Sequence, residues 1–173
     1  YAEPSPGFSG EWSYTHGVVL SAFDYIDDVT GDDLFFANNI RFYDYVVGHL
    51  PYFRENADQL QRNRVGSWGR ILEFEALDDC GSIGAAMIKT YLKNNNDKYL
   101  ELINQTADHI SNHQFRLDDG TLARHRPQYQ SLWADDLYMS VPFLANMGVL
   151  SGDNKYFDDA VSQILQMADR LYI

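Results

Sequence analysis

The sequence predicts an all-α fold built as an array of helical hairpins. Three observations predict it. Apolar residues recur at intervals of three and four almost throughout, which is the period of an amphipathic helix. No two alternating runs are joined by the two-residue turn of a β-hairpin, so strands are not indicated. Three segments also share an opening: Gly31-Asp32-Asp33-Leu34-Phe35, Asn96-Asp97-Lys98-Tyr99-Leu100 and Gly152-Asp153-Asn154-Lys155-Tyr156-Phe157. Each places Asp near a helix N-cap, followed by an aromatic residue. Their spacings of 65 and 56 residues suit a hairpin repeated with variable loops, although Asp before an aromatic is also a common helix start.

The first helix is expected from about Trp12 to Asp27, with Val18, Ala22, Tyr25 and Ile26 on its apolar face. Thr30-Gly31-Asp32 then breaks the pattern. A second helix from about Asp33 to Val47 carries Phe36, Ile40, Tyr43 and Val47 as one stripe, and Gly48 and Pro51 are expected to end it. Arg54 to Arg64 reads as a short polar helix, and Val65-Gly66-Ser67-Trp68-Gly69-Arg70 as a loop leading inward.

The third main helix starts near Asp78 or Asp79 and reaches about Lys93, with Ile83, Ala86, Met87 and Tyr91 as its stripe. After Asn94-Asn95-Asn96 a fourth runs from Asp97 to about His113 through Tyr99, Leu100, Ile103, Ala107 and Ile110. The stretch containing Asp118-Asp119-Gly120 and reaching Leu132 is the longest irregular one, and long loops in compact domains tend to be functional. The fifth helix is expected from about Ala134 to Met147, kinked or irregular at Pro142, and Gly148 to Gly152 closes it. The sixth spans about Asn154 to Leu171, with Phe157, Ala160, Val161, Ile164, Leu165 and Ala168 on one face.

At 173 residues the chain suits one domain with a substantial core. Hydrophobic residues at 45% and charged residues at 22% exclude a disordered chain. The net charge of −12 would repel phosphates, which argues against a nucleic-acid partner. No apolar run approaches the roughly 20 residues of a membrane span, so no membrane partner is indicated. The chain opens at Tyr1 without a signal peptide, as a trimmed or processed N-terminus would. Cys80, the one cysteine, has no intrachain partner and indicates no redox compartment. The aromatic content of 14% ordinarily fills helix interfaces, and it also supplies faces on which sugars stack.

Two acidic pairs stand before odd-numbered helices: Asp78-Asp79 within Leu77-Asp78-Asp79-Cys80-Gly81, and Asp135-Asp136 within Trp133-Ala134-Asp135-Asp136. A carboxylate there caps a helix and meets the positive end of its dipole. Two adjacent Asp residues exceed what one cap needs, however, and the doubling occurs at two helix entrances expected at the same end of the array. Carboxylates gathered there raise one another's pKa, which suits one of them to act as a general acid.

The segment Trp133-Ala134-Asp135-Asp136-Leu137-Tyr138-Met139-Ser140-Val141-Pro142-Phe143-Leu144-Ala145, followed by Gly148 and Ser151-Gly152-Asp153-Asn154-Lys155-Tyr156, resembles the central signature of the unsaturated rhamnogalacturonyl hydrolases, glycoside hydrolase family 105. Leu77-Asp78-Asp79-Cys80-Gly81 and Trp12-Ser13-Tyr14-Thr15-His16-Gly17 also resemble that family and its relatives, the unsaturated glucuronyl hydrolases of family 88. The resemblance implies an (α/α)6 toroid of six hairpins, of which this chain, residues 1–173, would form about half as three hairpins. It implies hydration of the C4=C5 double bond that a polysaccharide lyase leaves on a terminal uronic acid, with no metal and no organic cofactor. On this resemblance Asp135 and Asp79 are the catalytic carboxylates. Asp135 protonates C4 and assists the attack of water at C5, and Asp79 helps to hold substrate and water. Trp133, Tyr14, Trp12, Asp136 and His125, the last within Arg124-His125-Arg126, contact the substrate, an unsaturated uronic-acid oligosaccharide. Its basic neighbours suit an anionic uronate.

Three hairpins do not close a ring. The sequence therefore predicts either a chain that continues past Ile173 or self-association through the open hairpin edges, as a homodimer whose halves imitate a ring. A three-hairpin chain by itself is expected to be inactive. Polysaccharide breakdown leaves periplasm and cytoplasm both open, and galacturonyl and glucuronyl substrates are not distinguished. The rival from another class is a non-catalytic helical-repeat or sugar-binding module. His109 and His113, at i and i+4, lack an accompanying Glu or Cys and read as a solvated face. Ser131 and Ser140 lack a nucleophile elbow, and Gly66-Ser67-Trp68-Gly69 is too short for a phosphate loop.

Overall fold

A computed structural model describes residues 11–58 and 67–172. Six α-helices succeed one another there: α1 Tyr14–Thr30, α2 Phe36–Glu55, α3 Gly81–Asn94, α4 Leu100–Asp108, α5 Asp136–Ser151 and α6 Asn154–Leu171. Single 3-10 turns at Ser67–Ile71, Leu77–Asp79 and Asp97–Tyr99 join them, and α4 runs on into a π turn at His109–His113. Among the described residues the only β pairing is two isolated bridges in the long loop, Arg116 with Leu122 and Arg124 with Ser131. The chain is all-α, as predicted.

The repeated opening is a structural repeat. Asp32 Oδ1 accepts the Leu34 N–H at 3.0 Å, Asn96 Oδ1 the Lys98 N–H at 3.3 Å and Asp153 Oδ1 the Lys155 N–H at 3.0 Å. The same Asx contact thus opens α2, α4 and α6, and in the middle repeat the cap is Asn96 rather than its neighbour Asp97. At the far ends, Gly31 and Gly152 close α1 and α5 with φ of 70°, a left-handed conformation in which glycine has no Cβ to clash.

Two boundaries differ from expectation. α2 continues through Gly48 and Pro51 to Glu55, because Leu50 and Phe53 both reach the core and the burial of their side chains outweighs the loss of one hydrogen bond at Pro51. α5 passes Pro142 as expected, but ends at Ser151 rather than near Met147. The polar helix expected over Arg54 to Arg64 lies mostly outside the described residues, as does the start of the loop at Val65 and Gly66.

Helix α3 is the axis of the packing, lying between α1 and α5 and buried on nearly all sides from Gly81 to Ile88. Two glycines permit that approach. A Cβ on Gly17 would overlap the backbone of Ser82 and Ile83, and one on Gly81 would overlap the Met139 carbonyl. Gly81→Ala is expected to cost about 1–3 kcal/mol, read as a lower denaturation midpoint, because backbone rather than a flexible side chain would have to move. Polar side chains tie the layers together: Asn39 Nδ2 donates to the Leu20 carbonyl at 3.0 Å, Tyr43 Oη to Ile83 at 2.8 Å and Asn146 Nδ2 to Ala85 at 3.1 Å.

On the end helices the buried face is largely not the expected one, Ala160 being the expected α6 position that is buried. On α1 the buried positions are Gly17, Leu20, Asp24 and Asp27, while Val18, Tyr25 and Ile26 are exposed. On α6 the buried positions are Tyr156, Ala160, Gln163 and Met167, while Phe157, Val161, Ile164 and Leu165 are exposed. The predicted stripes exist, but the described neighbours pack on the other side. Each outer helix of the array therefore carries two faces suited to burial, of which one is used here.

Asp24 is a consequence of that arrangement. Buried between α1 and α3, its carboxylate has no hydrogen-bond partner among the described residues, and Lys93 Nζ approaches only to 3.7 Å. Burial pushes its pKa above the usual carboxylate range, with Lys93 pulling against it. A group raised on folding contributes stability that is present below its unfolded pKa and lost as pH rises through the folded one. Asp24→Asn is accordingly expected to raise the melting temperature at neutral pH and to flatten the gain in stability on acidification.

Candidate active site

The starts of the three odd helices converge at one end of the array. The Trp12 indole N–H donates to the Asp79 carbonyl at 2.5 Å, and Ser82 Oγ donates to the Tyr14 carbonyl at 2.8 Å, so the entrance of α1 is tied to that of α3. Arg124, from the loop between α4 and α5, ties α3 to α5. Its Nη1 and Nη2 donate to the two oxygens of Asp78 at 2.9 and 3.1 Å. Its Nε and Nη2 donate to the two oxygens of Asp136 at 2.9 and 2.6 Å. The guanidinium carbon also lies 4.5 Å from the centre of the Trp133 ring, within the range of a cation–π contact.

This network gives the four acidic residues four different environments. Asp136 is fully buried and bound at both oxygens by Arg124. Burial pushes its carboxyl above the ordinary range while Arg124 pulls it back. The Arg124 proton, in turn, is held more tightly than in a free guanidinium, chiefly by Asp136. Asp78 completes the clamp. Asp79 is buried and serves its own turn: Oδ2 accepts the N–H groups of Glu75 and Ala76 at 3.0 and 3.2 Å, and Arg70 Nη1 stands 3.5 Å from Oδ1. Asp135 alone is open, its side chain 52% exposed and 3.9 Å from Arg124 Nη2.

Of the residues singled out in the sequence, Asp135, Trp133 and Tyr14 reach solvent at this end, the two rings being 42% and 40% exposed. Trp12 does not. It is fully buried beneath this surface, where its indole supports the turn of Asp79. Asp136 is likewise buried, with both oxygens on Arg124. His125 is exposed but lines a neighbouring cleft of about 500 Å³ with Phe74, Glu75, His109, His113 and Arg126, and neither Asp135 nor Trp133 lines that cleft. Arg126 is paired with Glu75 there. His109, expected on a solvated face, is buried edge-on against Phe74 at 5.6 Å, and His113 pairs with Asp108 at 3.1 Å. Among the described residues no cluster of His, Cys, Asp and Glu could hold a metal ion.

The sequence does not by itself single out Arg124 and Asp78 as structural partners. A signal for them existed: four carboxylates at one end of an acidic chain require a cation among them, and Arg124 stands in the adjoining loop.

The family model described as Glycosyl Hydrolase Family 88 matches residues 5–173. The chain belongs to this family. Among solved structures, this family 88 chain is similar to a possible member of the GH105 family from Salmonella enterica serovar Paratyphi A, with 21% identity and a TM-score of 0.64. It is also similar to a possible GH105 member from Klebsiella pneumoniae, with 19% identity and a TM-score of 0.63. Each match covers 92% of this chain but 37% of the other, so the family 88 chain spans little more than a third of the length of either. At these identities the two structures establish the fold, an (α/α) toroid arrangement of hairpins. No curated protein matches the sequence. Among the described residues no helix is long and apolar enough to cross a membrane.

Proposed function

We propose that this chain is part of a glycoside hydrolase that removes the unsaturated uronic acid from lyase-generated oligosaccharides by hydrating its C4=C5 bond. The observation that carries the reading is the exposed Asp135 beside the exposed Trp133 ring, in a family 88 chain whose other three carboxylates at this end are engaged by protein groups. Trp133 offers the sugar an aromatic face. Asp135, in its acid form, protonates C4. Water adds its oxygen to C5 and returns a proton to the Asp135 carboxylate, and the resulting hemiketal opens to release the neighbouring sugar. Tyr14 borders the site. Asp79 acts by holding the turn that ends at α3, and His125 contacts the more distant part of the oligosaccharide from the adjoining cleft. The residues used need no metal or organic cofactor for this chemistry.

The domain reading belongs to the same proposal. Residues 1–173 form three hairpins of a six-hairpin toroid, and the exposed stripes of α1 and α6 are the faces that further hairpins or a second copy would cover. The conjugated double bond makes the test direct. The protein, with its ring completed by the further hairpins or second copy, is incubated with an unsaturated uronyl disaccharide and with its saturated counterpart, and ultraviolet absorbance is followed. Bleaching with the unsaturated sugar alone supports the hydration. Release of the saturated uronate instead would replace it with ordinary glycosidic cleavage, and binding without bleaching would favour a non-catalytic sugar-binding module.

A further inference from the structure

We propose that Arg124 is the positioning residue of this site: by clamping Asp78 and Asp136 and lying over Trp133, it sets the ring that receives the sugar and leaves Asp135 as the carboxylate presented to it. The proposal rests on the hydrolase reading for its kinetic consequence, although its structural part does not need it.

The geometry separates this role from the one a basic residue near a uronate would ordinarily be given. A guanidinium has five N–H donors in one plane. Four hydrogen bonds from Nε, Nη1 and Nη2 go to Asp78 and Asp136, and the side chain is only 11% exposed. Three carboxylates, of Asp78, Asp135 and Asp136, surround it within 4 Å. A substrate carboxylate would have to displace one of them while facing the others, which like charge opposes. Arg124 is therefore turned toward the protein. What it offers the reaction is placement. The plane that bridges α3 to α5 also covers one face of Trp133, so the ring position and the start of α5, where Asp135 stands, are set by one group.

Lysine retains the charge but has neither the plane nor the fork, so it cannot bridge both carboxylates and stack at once. Arg124→Lys, in the full chain labelled with fluorotryptophan, distinguishes the possibilities without substrate. The Trp133 resonance, assigned by its loss in Trp133→Phe, is expected to shift and broaden, while those of Trp12 and Trp68 stay in place. An unchanged Trp133 resonance overturns the proposal. Turnover of the unsaturated disaccharide provides the second reading. Arg124→Lys is expected to lower kcat per folded molecule by about 10²-fold, the scale of a misplacement near 1 Å, with a smaller change in KM. A raised KM at unchanged kcat would make Arg124 a substrate ligand, and a lowered melting temperature at unchanged kcat would leave it a structural bridge only; either overturns the proposal. Should a preparation with the ring completed show no turnover, the hydrolase reading fails and the Trp133 resonance still decides whether Arg124 positions the ring.

Discussion

Asp135→Asn should fold and melt like the parent yet lose about 10²–10⁴-fold in turnover of an unsaturated uronide, the typical contribution of a placed general acid. The substitution is nearly isosteric. It leaves intact the Asp135 carbonyl that accepts the Tyr138 and Met139 N–H groups at 2.9 and 3.2 Å to start α5. The side chain forgoes only a half-exposed ion pair at 3.9 Å from Arg124, and such pairs are worth up to about 1 kcal/mol. Chemistry and stability are therefore separable at this position, which is not so at Asp136. Matched thermal melts and initial rates on an active preparation of the parent make the comparison. If the Asn variant turned over at the parental rate, the acid would have to be sought elsewhere in the cluster.

Arg124→Gln carries the largest expected effect on stability. Removing one partner of a buried ion pair leaves the other charge uncompensated, at a cost of about 3–5 kcal/mol. That is a large fraction of the roughly 5–15 kcal/mol by which a domain is stable. The charge left behind is Asp136, fully buried and already pushed upward by its burial. Without the guanidinium its pKa would rise further. A carboxyl raised on folding stabilises the protein below its unfolded pKa, and that stability is lost as pH climbs through the folded value. The deficit of Arg124→Gln should thus be greatest at neutral pH and shrink in mild acid, as Asp136 takes up a proton. Denaturant titrations of parent and variant at the two pH values provide the measurement. An equal deficit at both would mean that Asp136 is not the group left exposed to the loss, and a negligible one would mean that the clamp does not contribute to stability.

The same two acidic pairs show how far local pattern reaches. Their doubling, and their place before odd helices, are visible in the chain, and so is the resemblance around Trp133. Which member of each pair faces out is not visible, because Asp78 meets Arg124 across 46 residues and Asp136 meets it across 12. Apart from the resemblance, which favours Asp135, local pattern leaves Asp135 and Asp136 as adjacent carboxylates of equal standing. Trp12 illustrates the same limit. An aromatic residue near the chain start suits a pocket wall or a core equally well, and the indole N–H bond to the Asp79 carbonyl places it in the core.

Periodicity, capping residues and left-handed glycines act within a few residues of one another, so the sequence by itself determined the all-α class, the six helices and the repeated Asx opening, with α6 spanning Asn154–Leu171 as expected. Burial and charge pairing act between segments far apart in the chain, so only the tertiary structure decided the continuation of α2 beyond Pro51, the faces of α1 and α6 that are used, and the burial of Trp12. It decided which carboxylates at the acidic end are engaged for the same reason: a carboxylate is free or engaged according to the cation brought beside it, and Arg124 reaches Asp78 and Asp136 only once α3, α5 and the intervening loop have packed together.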